Sequence, residues 1–162
     1  MKKIFLSGKR GAGKFAKVDD SDFDELSAFK WHFDNGYAKR QIPVKERFSG
    51  KKWWYLHWSI TGKPAQGFEV DHKNGDKLDN RRENLRVATL SQNRANIGLL
   101  SRNKSGFKGV SWHKASNRWG VRVKLHGKVR WVGVFKKKED AAIAYNKKAK
   151  ELFGEFAYQN PV

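Results

Sequence analysis

Residues 70–93, VDHKNGDKLDNRRENLRVATLSQN, restrict the fold more than any other part of the chain. A short apolar run from Phe68 closes on Asp71 and His72. The turn dipeptides Asn74-Gly75 and Asp79-Asn80 make the next residues a loop, not a helix. A second apolar run follows at 85–88. Thr89 or Ser91 can then cap a helix that starts near Leu90 and runs toward Asn96, with Gly98 as its stop. The pattern is strand, loop, strand, helix. It crowds one carboxylate, one imidazole and several amides into a small space.

That collection suits phosphodiester hydrolysis, which needs an activated water and charge neutralisation at the leaving oxygen. Asp71 offers a hard oxygen suited to Mg²⁺, and an amide oxygen such as that of Asn93 can supply a second, with waters and phosphate completing the shell. His72, with an ordinary pKa near ~6.5, can take a proton from water near neutral pH. Strand neighbours point to opposite sides, so Asp71 and His72 share a site only where the strand bends or ends at a cleft edge. Asn74, Asp76, Asp79 and Asn80 are what any turn-rich loop contains, and Asn84 also has an ordinary turn reading.

The charge balance says what such a site would act on. Lys and Arg number 35 against 16 acids, giving +19 and a pI near 10.2. A field of that size selects polyanions, and 7 Trp and 11 Phe among the cations favour nucleic acid. No run reaches membrane-spanning length, so no membrane partner is expected. The absence of Cys excludes disulfides, thiolate zinc sites and thiol nucleophiles. No secretory signal opens the chain, and an intracellular, cytoplasmic location is expected.

Residues 1–62 are expected to be a support subdomain. Gly8, Gly13 and Lys14 imitate a phosphate-binding loop, but Phe15 replaces the hydroxyl residue that would hold magnesium. This segment is read as a basic loop, with no nucleotide cofactor. A helix is expected at 20–29, on Phe23, Leu26 and Phe29, and strands at 37–42 and 53–60, joined by the basic connection KERFSGKK. His57 falls in the second of these strands, where a packed core histidine and a functional one are both open readings.

Residues 101–162 follow a Ser/Asn/Gly/Lys linker, and with 15 basic against 4 acidic residues they carry +11. Strands are expected at 107–112, 118–125 and 129–135, with His126-Gly127 as a tight turn. In the middle strand Arg118, Arg122 and Lys124 share one face with Gly120, while Trp119, Val121, Val123 and Leu125 share the other. A helix at 138–152, with Ala142, Tyr145, Ala149 and Leu152 on one face, would cover the apolar side. A cationic outer sheet fits a DNA major groove, where Arg and Lys reach guanine O6 and N7.

The central stretch resembles the HNH motif of the ββα-metal nucleases, in the form found in phage and intron homing endonucleases. The resemblance covers residues 55–96. It implies His72 as general base, Asp71 as metal ligand, Asn84 as the residue orienting the base, and Asn93 as second metal ligand, with Asn80 a lesser candidate. It further implies one Mg²⁺, Mn²⁺ or other divalent ion per site. The family's upstream Leu-His-Arg becomes Leu56-His57-Trp58, which removes a cation. GKFAKVDDSDFDELSAFKW resembles the leader of such phage enzymes. FKGVSW, WVGVF and EDAAIAYNKKAKELFG resemble the plant APETALA/ethylene-response-factor DNA-binding domain over residues 105–160. That likeness places Arg122, Lys124 and Trp131 at DNA contacts, while Ser111 and Val129 stand where the plant proteins have arginines.

The expected fold is α+β: an HNH module at 63–100 between the support subdomain and a three-stranded antiparallel sheet packed on one helix. The expected activity is metal-dependent cleavage of double-stranded DNA. Arg81, Arg82 and Arg86 are candidates to clamp the phosphate, and Lys108, His113, Lys114, Arg118 and Arg130 are further DNA contacts. A monomer with one site should nick. The competing readings are a DNA-binding regulator with an inert HNH module and an RNA-binding protein.

Overall fold

The computed structural model describes residues 1–47, 50 and 52–162, so residues 48, 49 and 51 of the expected basic connection lie outside the described residues. The architecture is mixed helix and sheet, in two compact units, Met1–Val87 and Ala88–Val162.

In the first unit β1 (Lys2–Phe5) and β2 (Phe15–Val18) form an antiparallel hairpin. The glycine-rich segment is its connection, closed by Leu6 N donating to the Lys14 carbonyl. Helix α1 (Asp20–Ser27) carries Asp20 and Asp22 in its first turn, which suits the positive end of the helix dipole. It stops short of the expected Phe29, which is exposed. The apolar anchor is instead Trp31, 1% exposed, whose indole N–H donates to the Leu26 carbonyl. Strands β3 (His32–Asp34), β4 (Tyr37–Gln41) and β5 (Trp53–Tyr55) make an antiparallel sheet in that order.

The strand expected at 53–60 is corrected. It ends at Tyr55, and α2 (Leu56–Thr61) follows, burying Leu56, His57 and Ile60. Spacings of one and four residues put all three on one helical face, and a six-residue apolar run does not by itself tell strand from helix. Strand β6 (Phe68–His72) then pairs with β7 (Leu85–Thr89). One core joins Ile4, Val18, Leu26, Trp31 and Leu56 to Val70 and Leu85, so the boundary expected at 62 does not divide it. Each such side chain withdrawn from water contributes about 1.5–3 kcal/mol.

The second unit begins before the expected linker. Helix α3 (Leu90–Asn96) starts with a reciprocal cap: Thr89 Oγ1 accepts from Gln92 N, and Gln92 Oε1 accepts from Thr89 N. Its Ala95 packs into this unit's core. Strands β8 (Val110–His113), β9 (Arg118–Leu125) and β10 (Lys128–Phe135) form an antiparallel sheet with β9 central. Strand β8 starts three residues later than expected. Gly109 before it has φ +75°, and a Cβ there would meet the Tyr145 ring at 2.1 Å and the Arg122 carbonyl at 2.7 Å. Helix α4 (Lys138–Phe153) covers one face, where Ala141, Ala142, Tyr145 and Ala149 bury Val121 and Val123. Alanines let the helix approach closely, and Gly154 ends it at φ +55°.

Candidate active site

Asp71 and His72 end β6, each only 4% exposed. Asp71 Oδ2 accepts from Arg86 Nε at 2.9 Å and lies 2.9 Å from the second guanidinium nitrogen. Arg86 comes from β7, and its side chain is itself 10% exposed, so this is a buried ion pair. Removing either partner would strand the other charge in a poorly solvating interior.

The His72 imidazole sits among rings. His57 is 5.4 Å away edge-on, and Tyr37 6.1 Å. His72 Nε2 lies 3.4 Å from Asn80 Oδ1. Loss of solvent pushes the His72 pKa down, while the Asn80 contact and the charges of Asp71, Asp76 and Asp79 pull it back up. A proton on Nε2 facing Asn80 Oδ1 puts the lone pair on Nδ1, the arrangement a general base needs.

His57 forms part of the wall around this imidazole. It stacks on Tyr55 at 5.3 Å, lies 5.6 Å from Tyr37 and is 6% exposed. Burial, with a smaller push from His72, takes its pKa down to about 3, so it is uncharged at neutral pH.

Asn84 does different work from that expected. Its Oδ1 accepts from Asn74 N at 3.0 Å and its Nδ2 donates to the Asp79 carbonyl at 2.7 Å. Both ends of the amide hold the loop between β6 and β7, and the structure brings Asn80, not Asn84, to the imidazole. The sequence signal for Asn80 was weak because Asp79-Asn80 reads as a turn pair. Asn80 is 1% exposed, held by its N–H donating to the Lys17 carbonyl, and among the described residues its Nδ2 has no hydrogen-bond partner.

The rest of the loop is self-bracing. Asp79 accepts from Arg81 Nε at 2.8 Å and from Asn74 Nδ2 at 3.0 Å, and the Arg81 bonds hold its pKa down to about 2. Arg81 also pairs with Glu83, and Arg82 pairs with Asp22 at 2.6 Å. The three arginines expected to clamp phosphate thus have carboxylate partners within the first unit. The cross-strand Asp71–Arg86 pair left no sequence signal, because strand register is not written in local residue types.

Asn93 lies half-buried on α3, in the second unit. Among the described residues no three His, Cys, Asp or Glu side chains gather as a metal cluster. The Asp71 carboxylate by itself suits Mg²⁺, which keeps several waters and takes one or two carboxylates plus phosphate.

On the second unit's sheet, register sorts the expected DNA contacts. Arg122 faces Trp131, Lys124 faces Val129, Arg118 faces His113 and Gly120 faces Ser111, all on the side away from α4. A Cβ on Gly120 would meet the Trp131 ring at 2.6 Å, so the indole lies across the glycine. Arg122, Lys124, Trp131 and Lys114 are exposed, and His113 Nδ1 is 2.8 Å from Ser116 Oγ. Arg130 is opposite Val123 and belongs to the other face. Lys108 points inward. Its ammonium donates to the carbonyls of Arg94, Ala95 and Ile97 at the end of α3, and burial lowers its pKa to about 8.

Comparison with known proteins gives this arrangement a family. The family description HNH endonuclease matches residues 60–95, the segment holding β6, β7, most of α3 and the last two residues of α2. An uncharacterized HNH endonuclease of Acanthamoeba polyphaga mimivirus is 33% identical over 155 residues, covering 94% of this chain and 78% of that one. Protein 3.8 of Escherichia phage T7 is 33% identical over 101 residues, 62% of this chain and 83% of that protein. No solved structure matches. The chain belongs to the HNH endonuclease family and is a DNA-cleaving hydrolase. Among the described residues no helix is long and apolar enough to cross a membrane.

Proposed function

We propose that the chain is a divalent-metal-dependent endonuclease of phage or homing type that holds duplex DNA with its C-terminal sheet and nicks one strand. The observation that carries this reading is His72, enclosed by His57 and Tyr37 with Asn80 Oδ1 at its Nε2, directly beside Asp71 at the end of β6. Asp71, with Asn93 as the second ligand that the motif assigns, would hold the metal, which neutralises charge at the leaving oxygen when bound. His72 accepts the proton of the attacking water. Asn80 fixes its tautomer, and the rings of His57 and Tyr37 keep bulk water from the imidazole. Asn84 is a positioning residue that holds the loop carrying Asn80.

The cationic outer face of β8–β10 supports major-groove docking, with Arg122 and Lys124 the leading contacts and Arg118, His113 and Lys114 beside them. The plant-factor likeness of this unit is part of the proposal. Arg81, Arg82 and Arg86 are scaffold in this reading, because each guanidinium already neutralises a carboxylate.

Nicking of supercoiled plasmid with added Mg²⁺ tests the assignment. EDTA should abolish the reaction, and His72→Ala should lower its rate by about 100-fold or more with duplex binding retained. Undiminished cutting by His72→Ala would remove His72 as the base, and cutting in EDTA would remove the metal.

A further inference from the structure

The second unit holds a groove of about 860 Å³ that the duplex-docking face does not account for. It runs between the chain after α3 and the β8–β9 part of the sheet. Arg94, Arg102, Lys104, Arg122 and Lys124 line it around Trp112. Among the described residues no carboxylate lines the groove, and none of these five cations is in an ion pair. Trp112 is 47% exposed and braced edge-on by Trp119 at 5.1 Å. Leu99 and Leu100 add exposed apolar wall.

We propose that this groove binds single-stranded DNA, one or two unstacked bases resting on Trp112 while Arg102, Lys104 and Arg94 hold the flanking phosphates. Two physical points select that occupant. Cations without carboxylates demand a polyanion, and an indole with two leucines inside the groove demands an apolar face on the same ligand. Duplex DNA offers phosphates but keeps its bases stacked, and a groove of this volume is the size of a small-ligand site, not of a double helix. A single strand offers both, and base–indole stacking is tolerant of sequence. The groove adjoins the duplex-docking face but is distinguished from it by its own residues. Arg122 and Lys124 border both surfaces, but Trp112, Arg102 and Lys104 belong to the groove alone.

The test uses the full chain in EDTA and a labelled deoxythymidine oligomer of about 12 nucleotides, read by anisotropy, beside a duplex of equal length. Trp112→Ala should weaken oligomer binding about tenfold or more. Arg102→Ser with Lys104→Ser should weaken it and lower the salt slope by about 1.4, near 0.7 per phosphate lost. Duplex binding and plasmid nicking should stay within about twofold, so failure here leaves the nuclease reading intact. Trp112→Leu keeps apolar bulk against Trp119, and its thermal melt shows whether the unit is folded; it too should lose the oligomer. Unchanged oligomer affinity in the folded Leu variant, or a parallel fall in duplex binding, would overturn the proposal. So would tighter binding of a uridine RNA oligomer than of the deoxythymidine one.

Discussion

The two units carry positive charge in opposite ways. The first has 19 Lys and Arg against 12 acids, and its central arginines are spent inside the fold: Arg81 on Asp79, Arg82 on Asp22, Arg86 on Asp71. The second has 16 against 4, and Arg102, Lys104, Arg122 and Lys124 have no carboxylate partner among the described residues. A guanidinium that must first leave a carboxylate gains little by reaching a phosphate. An unpaired cation releases nothing but water and its own counterions. The net charge of +19 therefore overstates what the first unit offers DNA. Its charges brace the loop between β6 and β7, while those of the second unit have no carboxylate to leave.

The strongest way to break this contrast is Asp79→Ala. Asp79 is 1% exposed and accepts from Arg81 and Asn74. Losing it leaves Arg81 with Glu83 alone and Asn74 Nδ2 without its acceptor, and should cost about 1–3 kcal/mol, read from urea melts at neutral pH. The pH dependence has a definite sign. The folded carboxyl is held at about 2 against an ordinary 3.8. Its contribution is complete above the unfolded value and lost as pH falls from about 4 toward 2. The wild type should lose stability across that window, and the variant should lack that component. A variant as stable as the wild type but weaker on DNA would reverse the roles given to the two units.

The second unit is tested by what it does not need for folding. Arg122 and Lys124 are exposed on the outer sheet face. Arg122→Ala should cost about 1–3 kcal/mol of duplex affinity and relax sequence preference, as a base contact does. Lys124→Ala should lower the salt slope by about 0.9, as a phosphate contact does. Both should leave thermal stability within about 0.5 kcal/mol of wild type. A loss of stability comparable to the loss of binding would make these residues structural.

The contrast also marks what was legible in the residues. Alternation in RWGVRVKL and the helical spacing of Ala142, Tyr145 and Ala149 define the second unit's sheet and helix, because one face of each must be apolar. The strand–loop–strand–helix order at 68–96 is equally legible, since its turns and its cap are local chemistry. Depth and register are not local. Lys108 counts as one more cation in the sequence, yet its ammonium lies on three carbonyls at the end of α3. Arg86 was a candidate clamp until pairing set it against Asp71. Asn84 and Asn80 are both amides in a polar loop, and only the folded path of the backbone decides which one reaches His72.

The smallest expected effect is the most discriminating. Arg82 bonds Asp22 with two nitrogens, but its side chain is 59% exposed. Exposed pairs contribute about 0.2–1 kcal/mol, so Arg82→Ala should shift stability by no more than that. Unlike Arg122, it could swing toward solvent at little cost, and that makes its binding behaviour informative. If its charge is committed to Asp22, the salt slope for duplex DNA stays where it was in the wild type. If the slope instead falls by about 0.9, the guanidinium exchanges its carboxylate for a phosphate on binding, and pairing in the free protein is no guide to which cations touch DNA.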